Sequence, residues 1–291
     1  MRPSPALLES LSRSRLFPGV LAGTSGVGER RSATRGPGLE FIDHRPYQDG
    51  DDTRRLDPHL YARTGQFHLR EYARDQQLPV TVLIDTSASI TAGGEGKENQ
   101  ARALAQIVGF AAMAGGDTVQ IAVSGPRGLQ KSPRWQGLAR AEDLFGWINE
   151  LPVGAGGPLP DALRQIAGRL RRGTLLVIIS DWWDEDIETA LGWLGAAGYA
   201  VLALQVLSQG ERDPGDLASG TVTFEDIETG EATKVDVDHD TLEAYRSAFA
   251  AHQEGLQAAF RARGWPFVTV TDDTDLTEFC LRELRGMGVL A

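Results

Sequence analysis

The chain has 291 residues, with 29 basic and 40 acidic side chains and a formal net charge of −11, long enough to bury a sizeable core as one large or two modest domains. At 41% hydrophobic and 24% charged it is neither collagen-like nor disordered, and its single cysteine, Cys280, excludes an internal disulfide and thiolate zinc sites. No apolar run reaches the roughly 18 residues needed to span a membrane. Ala6-Leu7-Leu8 is too short for a signal peptide, so a cytoplasmic protein is expected.

The acid excess is local. Residues 174–291 carry 7 basic and 22 acidic side chains, against 22 and 18 before them. Such a surface disfavours nucleic acid and anionic membrane and suits solubility or a basic protein partner.

Taken in order, residues 1–38 are rich in turn signals, at Pro18-Gly19, Gly23-Thr-Ser-Gly26 and Gly36-Pro-Gly38, with one short helix predicted at Pro5–Leu11. Residues 39–75 read as loops with short strands, including Phe67–Tyr72. At Pro79 the character changes. Val80-Thr-Val-Leu-Ile84 is a largely apolar run closed by Asp85, as in a strand buried on both faces.

Leu104, Ile107, Val108 and Ala111 then mark a helix stopped by Gly115-Gly116, and Thr118–Val123 a strand. Leu163, Ile166, Ala167 and Leu170 predict a second helix. Thr174–Ser180 predicts a strand ended by Asp181, Ile187–Leu194 a helix, and Ala200–Leu207 another buried strand. Val222–Val237 suggests a hairpin, Asp240 with Glu243 a capping box opening a long helix to Arg263, Phe267–Val270 a last strand and Leu276–Met287 a last helix. The expectation is an α/β fold, a mostly parallel sheet with helices on both faces over residues 79–291, with a hairpin insertion near 220–238 and a loop- and strand-rich extension over 1–78.

In such a sheet ligands bind beyond the carboxyl ends of the strands. Asp85-Thr-Ser-Ala-Ser89 follows one such end, and an extended turn can present Asp85, Ser87 and Ser89 to one point. One carboxylate and two hydroxyls suit Mg²⁺ (or Mn²⁺ or Ca²⁺) completed by water, with Asp181 adding a further carboxylate. In the alternative reading, Asp85 caps its own loop and the serines bond local backbone amides.

Asp85-x-Ser-x-Ser followed by helix, strand, helix and Ile179-Ser-Asp181 resembles a von Willebrand factor A domain with its metal-ion-dependent adhesion site. The preceding motifs, Arg35-Gly-Pro-Gly-Leu-Glu-Phe41, Arg45-Pro-Tyr47, Gly50-Asp-Asp52, Arg55-Leu-Asp57 and Ala62-Arg-Thr-Gly65, with Asp226-x-Glu-Thr-Gly230 later, are similar to an uncharacterised bacterial family carrying such a domain. Genes of that family commonly lie beside those of MoxR-type AAA+ ATPases. The resemblance implies a Rossmann-like fold, a metal at Asp85, Ser87, Ser89 and Asp181, and a MoxR-type ATPase and a client protein as partners. Two positions depart from the pattern. Gly157 or Pro158 stands where the adhesion site has a threonine, and Asp57-Pro58 replaces an Asp-Trp pair.

Other features are structural in this reading. The acids of Gly50–Asp57 are expected to pair with Arg45, Arg54 or Arg55, the alternative being a docking loop beside the metal site. Trp182-Trp183 packs inside, or leaves one ring at the site rim as a partner anchor. His44, His59, His68, His239 and His252 have no zinc spacing, Cys280 is core, and no phosphate loop exists, so any ATPase activity must come from a partner. A non-enzymatic adapter working with the ATPase in assembly, maturation or cofactor insertion of clients is expected. A Mg²⁺-dependent phosphohydrolase using Asp85, and a structural protein with a vestigial site, are the alternatives.

Overall fold

The computed structural model describes residues 2–16, 35–36, 40–73, 77–92, 94–125, 128–152, 154–184, 186–216, 220–227 and 230–290. The turn signals at 18–19 and 23–26, Pro37-Gly38 and the Glu228-Thr229 pair lie outside these. The chain divides into two units, one of Gly26–Gln77 and one of Met1–Ser25 with Leu78–Ala291. The sequence reading groups 1–78 together, but helix α1 (Pro5–Leu11) belongs to the larger unit. Its Leu7 and Leu11 are buried in the large core, and Leu16 bridges to Leu290. Two leucines one turn apart have no core of their own to enter.

In the smaller unit β1 (Arg35–Gly36), β2 (Glu40–Pro46) and β3 (His68–Ala73) form an antiparallel sheet ordered β1-β3-β2. Asp57 opens helix α2 (Pro58–Thr64), its Oδ1 accepting the amides of His59 at 2.9 Å and Leu60 at 3.1 Å. Oδ2 accepts Arg70 Nε at 2.9 Å and lies 2.8 Å from His44 Nε2. Arg70, His44 and the two amides together hold this carboxyl far below the usual range. Pro58 then occupies the first helical position, where an absent N–H costs nothing. Arg45 grips Asp51 with two guanidinium nitrogens, as the mixed-charge loop suggests.

In the larger unit the elements follow as β4 (Pro79–Ile84), α3 (Glu95–Ala114), β5 (Thr118–Gly125), β6 (Gly128–Lys131), β7 (Trp135–Gln136), α4 (Ala141–Asn149), α5 (Leu159–Ala167), β8 (Leu175–Ser180), α6 (Ile187–Ala197), β9 (Ala200–Leu207), α7 (Gln209–Arg212), the antiparallel hairpin β10 (Gly220–Glu225) and β11 (Ala232–Val237), α8 (His239–Arg261), β12 (Phe267–Thr271) and α9 (Leu276–Glu278), which runs into a π-helical turn at Phe279–Leu284. The main sheet is ordered β12-β9-β8-β4-β5-β6 with β7 also beside β5. The strands from β12 to β5 are parallel, and β6 and β7 antiparallel.

Strand alternation divides the core in two. Val80, Val82, Ile84, Leu175, Val177 and Ile179 face a cluster with α1, α3 and α4, whereas Leu83, Leu176 and Ile178 face one with α5, α6 and the end of α8. Both faces are covered, so the runs read apolar throughout. Helix α3 is buried almost all round. Its Arg102 donates to the carbonyls of Ile148 and Leu151, satisfying the end of α4. The long helix opens at Asp238, whose side chain accepts the Thr241 amide at 2.8 Å, rather than at the expected Asp240. Cys280 is buried and its thiol pushed up to about 12 by burial, as suits core. Among the described residues no helix is long and apolar enough to cross a membrane.

Candidate functional site

After β4 the chain continues on one side to β5, and later returns to the other side as β8. The strand order therefore reverses between β4 and β8, which opens a crevice at their carboxyl ends. Asp85 and Asp181 close those two strands. The Asp85 amide extends the pairing by donating to Ile179 O at 2.8 Å.

Asp85 is 1% exposed. Its Oδ1 accepts the Ser87 amide at 2.9 Å and its Oδ2 the Ser180 hydroxyl at 2.6 Å. The first bond is the loop cap that the alternative reading foresaw. Burial, and then the charge of Asp181, push the Asp85 carboxyl up to about 6. The hydroxyls of Ser87 and Ser89 are 2.9 Å apart and share a hydrogen bond. All four predicted residues thus gather at one edge.

A fifth residue joins them that the sequence analysis does not name. Lys97, in the first turn of α3, is fully buried. Its ammonium donates to Ser89 O at 2.9 Å, Asp181 Oδ2 at 2.9 Å and Glu211 Oε1 at 2.7 Å. Glu211 is held in turn, since Oε2 accepts the Ser208 amide at 2.7 Å in a capping box that opens α7. The available signal was position. Lys97 lies seven residues before Leu104, so it continues the buried stripe of the helix.

Two glutamine bonds fix the second strand end. Buried Gln205 on β9 donates to Asp181 O at 3.0 Å and accepts from Thr269 at 2.8 Å. Trp182 is fully buried in left-handed backbone, φ 63°, a costly conformation for a bulky side chain. Its amide donates to Ser180 Oγ at 3.1 Å, and its carbonyl accepts His252 Nε2 at 3.1 Å. The Trp182 ring stands edge-on to Phe260, centroids 5.0 Å apart. Trp183, half-buried, stacks on His252 at 4.7 Å. The pair therefore splits, with one ring inside and one at the rim.

The loop that in the resembled domain carries the threonine is pinned beneath this edge. Thr86 O accepts the amides of Gly154 at 3.0 Å and Gly156 at 2.8 Å, and Ser124 Oγ donates to Gly157 O at 3.0 Å. A Cβ on Gly156 would lie 2.6 Å from the Thr86 carbonyl carbon and 2.7 Å from Ser124 O. Backbone cannot yield as a side chain can, so Gly156→Ala is expected to lower unfolding free energy by about 2 kcal/mol in urea titration. No loss would mean that the loop is not clamped. Beside Glu211, a cavity of about 1150 Å³ is lined by Phe224, Val235, Val237, Leu242 and Tyr245.

Residues 43–255 match the family described as protein of unknown function DUF58. The chain belongs to that family. The uncharacterized proteins Mb1516 of Mycobacterium bovis and Rv1480 of Mycobacterium tuberculosis are each 28% identical to this DUF58 chain over 273 residues, which cover 89% of it and 84% of each relative. Among solved structures, the conserved hypothetical protein BatB of Bacteroides thetaiotaomicron shares 12% identity at a TM-score of 0.44, over 72% of this chain and 98% of its own. The VWA domain of SpRpn10 shares 12% at 0.40, over 72% and 95%. The α/β class of the DUF58 chain rests on its own sheet.

Proposed function

We propose that this DUF58 chain is a non-enzymatic interaction module, which docks a partner at the rim of the crevice that Asp85, Ser87, Ser89 and Asp181 organise from within. The observation that carries the reading is the state of Asp85. It is 1% exposed with both oxygens already accepting hydrogen bonds. A carboxylate so placed organises its loop and offers no face for attack on a substrate. Lys97, which a hydrolase could have used, has all three N–H donors engaged. Phosphatase turnover lost in Asp85→Asn would support the hydrolase instead.

The partner in this proposal is a MoxR-type AAA+ ATPase, and the task is assembly, maturation or cofactor insertion of a client. That part rests on the family resemblance, together with the lack of a phosphate loop in this sequence. Trp183 at the rim supplies an aromatic anchor, and the cavity beside Glu211 supplies apolar area. Capture of purified MoxR-type ATPase by the wild type is expected, weakened about tenfold or more (~1.4 kcal/mol) in Trp183→Ala. A wild type that captures none, or a variant that captures as well, counts against the proposal.

A further inference from the structure

We propose that the Lys97 ammonium is the resident cation of this edge, standing in for a divalent ion and leaving the site metal-independent. An ammonium has three donors, and three acceptors surround this one, at 2.9, 2.9 and 2.7 Å. Two of them, Asp181 and Glu211, are carboxylates, so the ammonium is countered by the chain's own groups with one carboxylate charge to spare. The side chain is 0% exposed, as is appropriate to a fixed structural charge. A divalent ion taking Asp181 would have to share that carboxylate with a cation that cannot turn away into water, and like charges repel strongly at low dielectric.

The remaining oxygens are engaged too. Asp85 accepts from the Ser87 amide with one oxygen and from Ser180 with the other, and the Ser87 and Ser89 hydroxyls bond each other. At Gly157 and Pro158, where the resembled adhesion site has its threonine, the side chains carry no oxygen, and the Gly157 carbonyl accepts from Ser124. Among the described residues no three His, Cys, Asp or Glu side chains are grouped as metal ligands. A hard dication takes six or more oxygens, water among them, and those the protein supplies must be free to turn toward it. This edge instead uses its oxygens on one another and on Lys97.

The inference concerns the charge that fills the edge and not the protein that docks there. Its test needs no partner, so either proposal can fail without the other. Mn²⁺ binding is read on the full chain by calorimetry and by the loss of free-ion paramagnetic resonance signal. The wild type is expected to bind none at about 1 mM, whereas Lys97→Gln or Lys97→Met, shown folded by circular dichroism, binds at least tenfold more tightly than the wild type. Glutamine keeps N–H donors for Ser89 O and Asp181 and so protects the fold if methionine does not. Uptake by the wild type that disappears in Asp181→Asn would overturn the proposal. So would equal silence in wild type and folded Lys97 variants, because Lys97 would then not be what excludes the ion.

Discussion

Lys97→Met is expected to lower the unfolding free energy of the larger unit by about 3–5 kcal/mol, because it leaves the Asp181 carboxylate buried without its counter-charge. Methionine keeps the length and the apolar stem, so the loss reports the ammonium rather than a cavity. The side chains of Lys97 and Asp181 are 0% and 1% exposed, and screening by water does not soften the effect. Adding Asp181→Asn removes the stranded charge, and the double variant is expected to recover to within about 1.5 kcal/mol of wild type. Chemical denaturation of the four proteins in the cycle gives the coupling. A single-variant loss under about 1 kcal/mol would mean that the ammonium does not hold the two strand ends together. Glu211 makes a second readout. Without Lys97 the capping box at Ser208 loses its outer partner, so amide exchange through α7 should rise.

The second large effect is a pH dependence with a definite sign. The folded Asp85 carboxyl sits at about 6, against 3.8 for the ordinary side chain. Below about pH 4 the group is protonated folded and unfolded, and it costs nothing. As pH rises toward 6 the unfolded chain releases this proton first. Stability is therefore lost through that interval, by about 3 kcal/mol, and the loss is constant above it. Asp85→Asn has no proton to release. Measured against wild type, the asparagine variant should gain about 3 kcal/mol between pH 4 and pH 7, while the many other carboxylates cancel in the difference. A difference that is flat with pH, or one that falls, would show that the carboxyl is not held above its ordinary value. The expected sign follows from geometry as well. Burial and the neighbouring Asp181 both favour the neutral form, and the bonds from Ser180 and Ser87 only partly offset them.

Much of the architecture was legible in one dimension. Val80–Ile84 and Leu175–Ile179 are largely apolar without alternation, the pattern of a short strand covered on both faces. Gly115 and Gly198 stop helices where the periodicity ends, whereas α5 ends at Ala167 with Gly168 as its cap, short of the expected Leu170 and Gly173. Helix α4 was legible and passed over, since Ala141, Leu144, Phe145 and Ile148 follow the i, i+3, i+4, i+7 pattern, whereas the short β6 and β7 owe their form to packing, as with Trp135 against Trp147. The N-terminal helix was assigned to the wrong unit, since nothing in seven residues states which core will bury them.

The site divides in the same way. The sequence by itself determined that Asp85 and Asp181 end two buried strands, and that Ser87 and Ser89 follow the first, since these are local properties of spacing and apolar run. Only the tertiary structure decided what those groups face. Lys97 reaches Asp181 across 84 residues and Glu211 across 114, and a helix-start lysine ordinarily lies in water. The strand order swings β8 to the opposite side of β4 from β5, so the start of α3, the end of β8 and the turn after β9 meet at one crevice. That meeting buries the ammonium among three acceptors. Charge pairing over such separations is a property of the assembled sheet, set by topology and desolvation, and no local pattern encodes it.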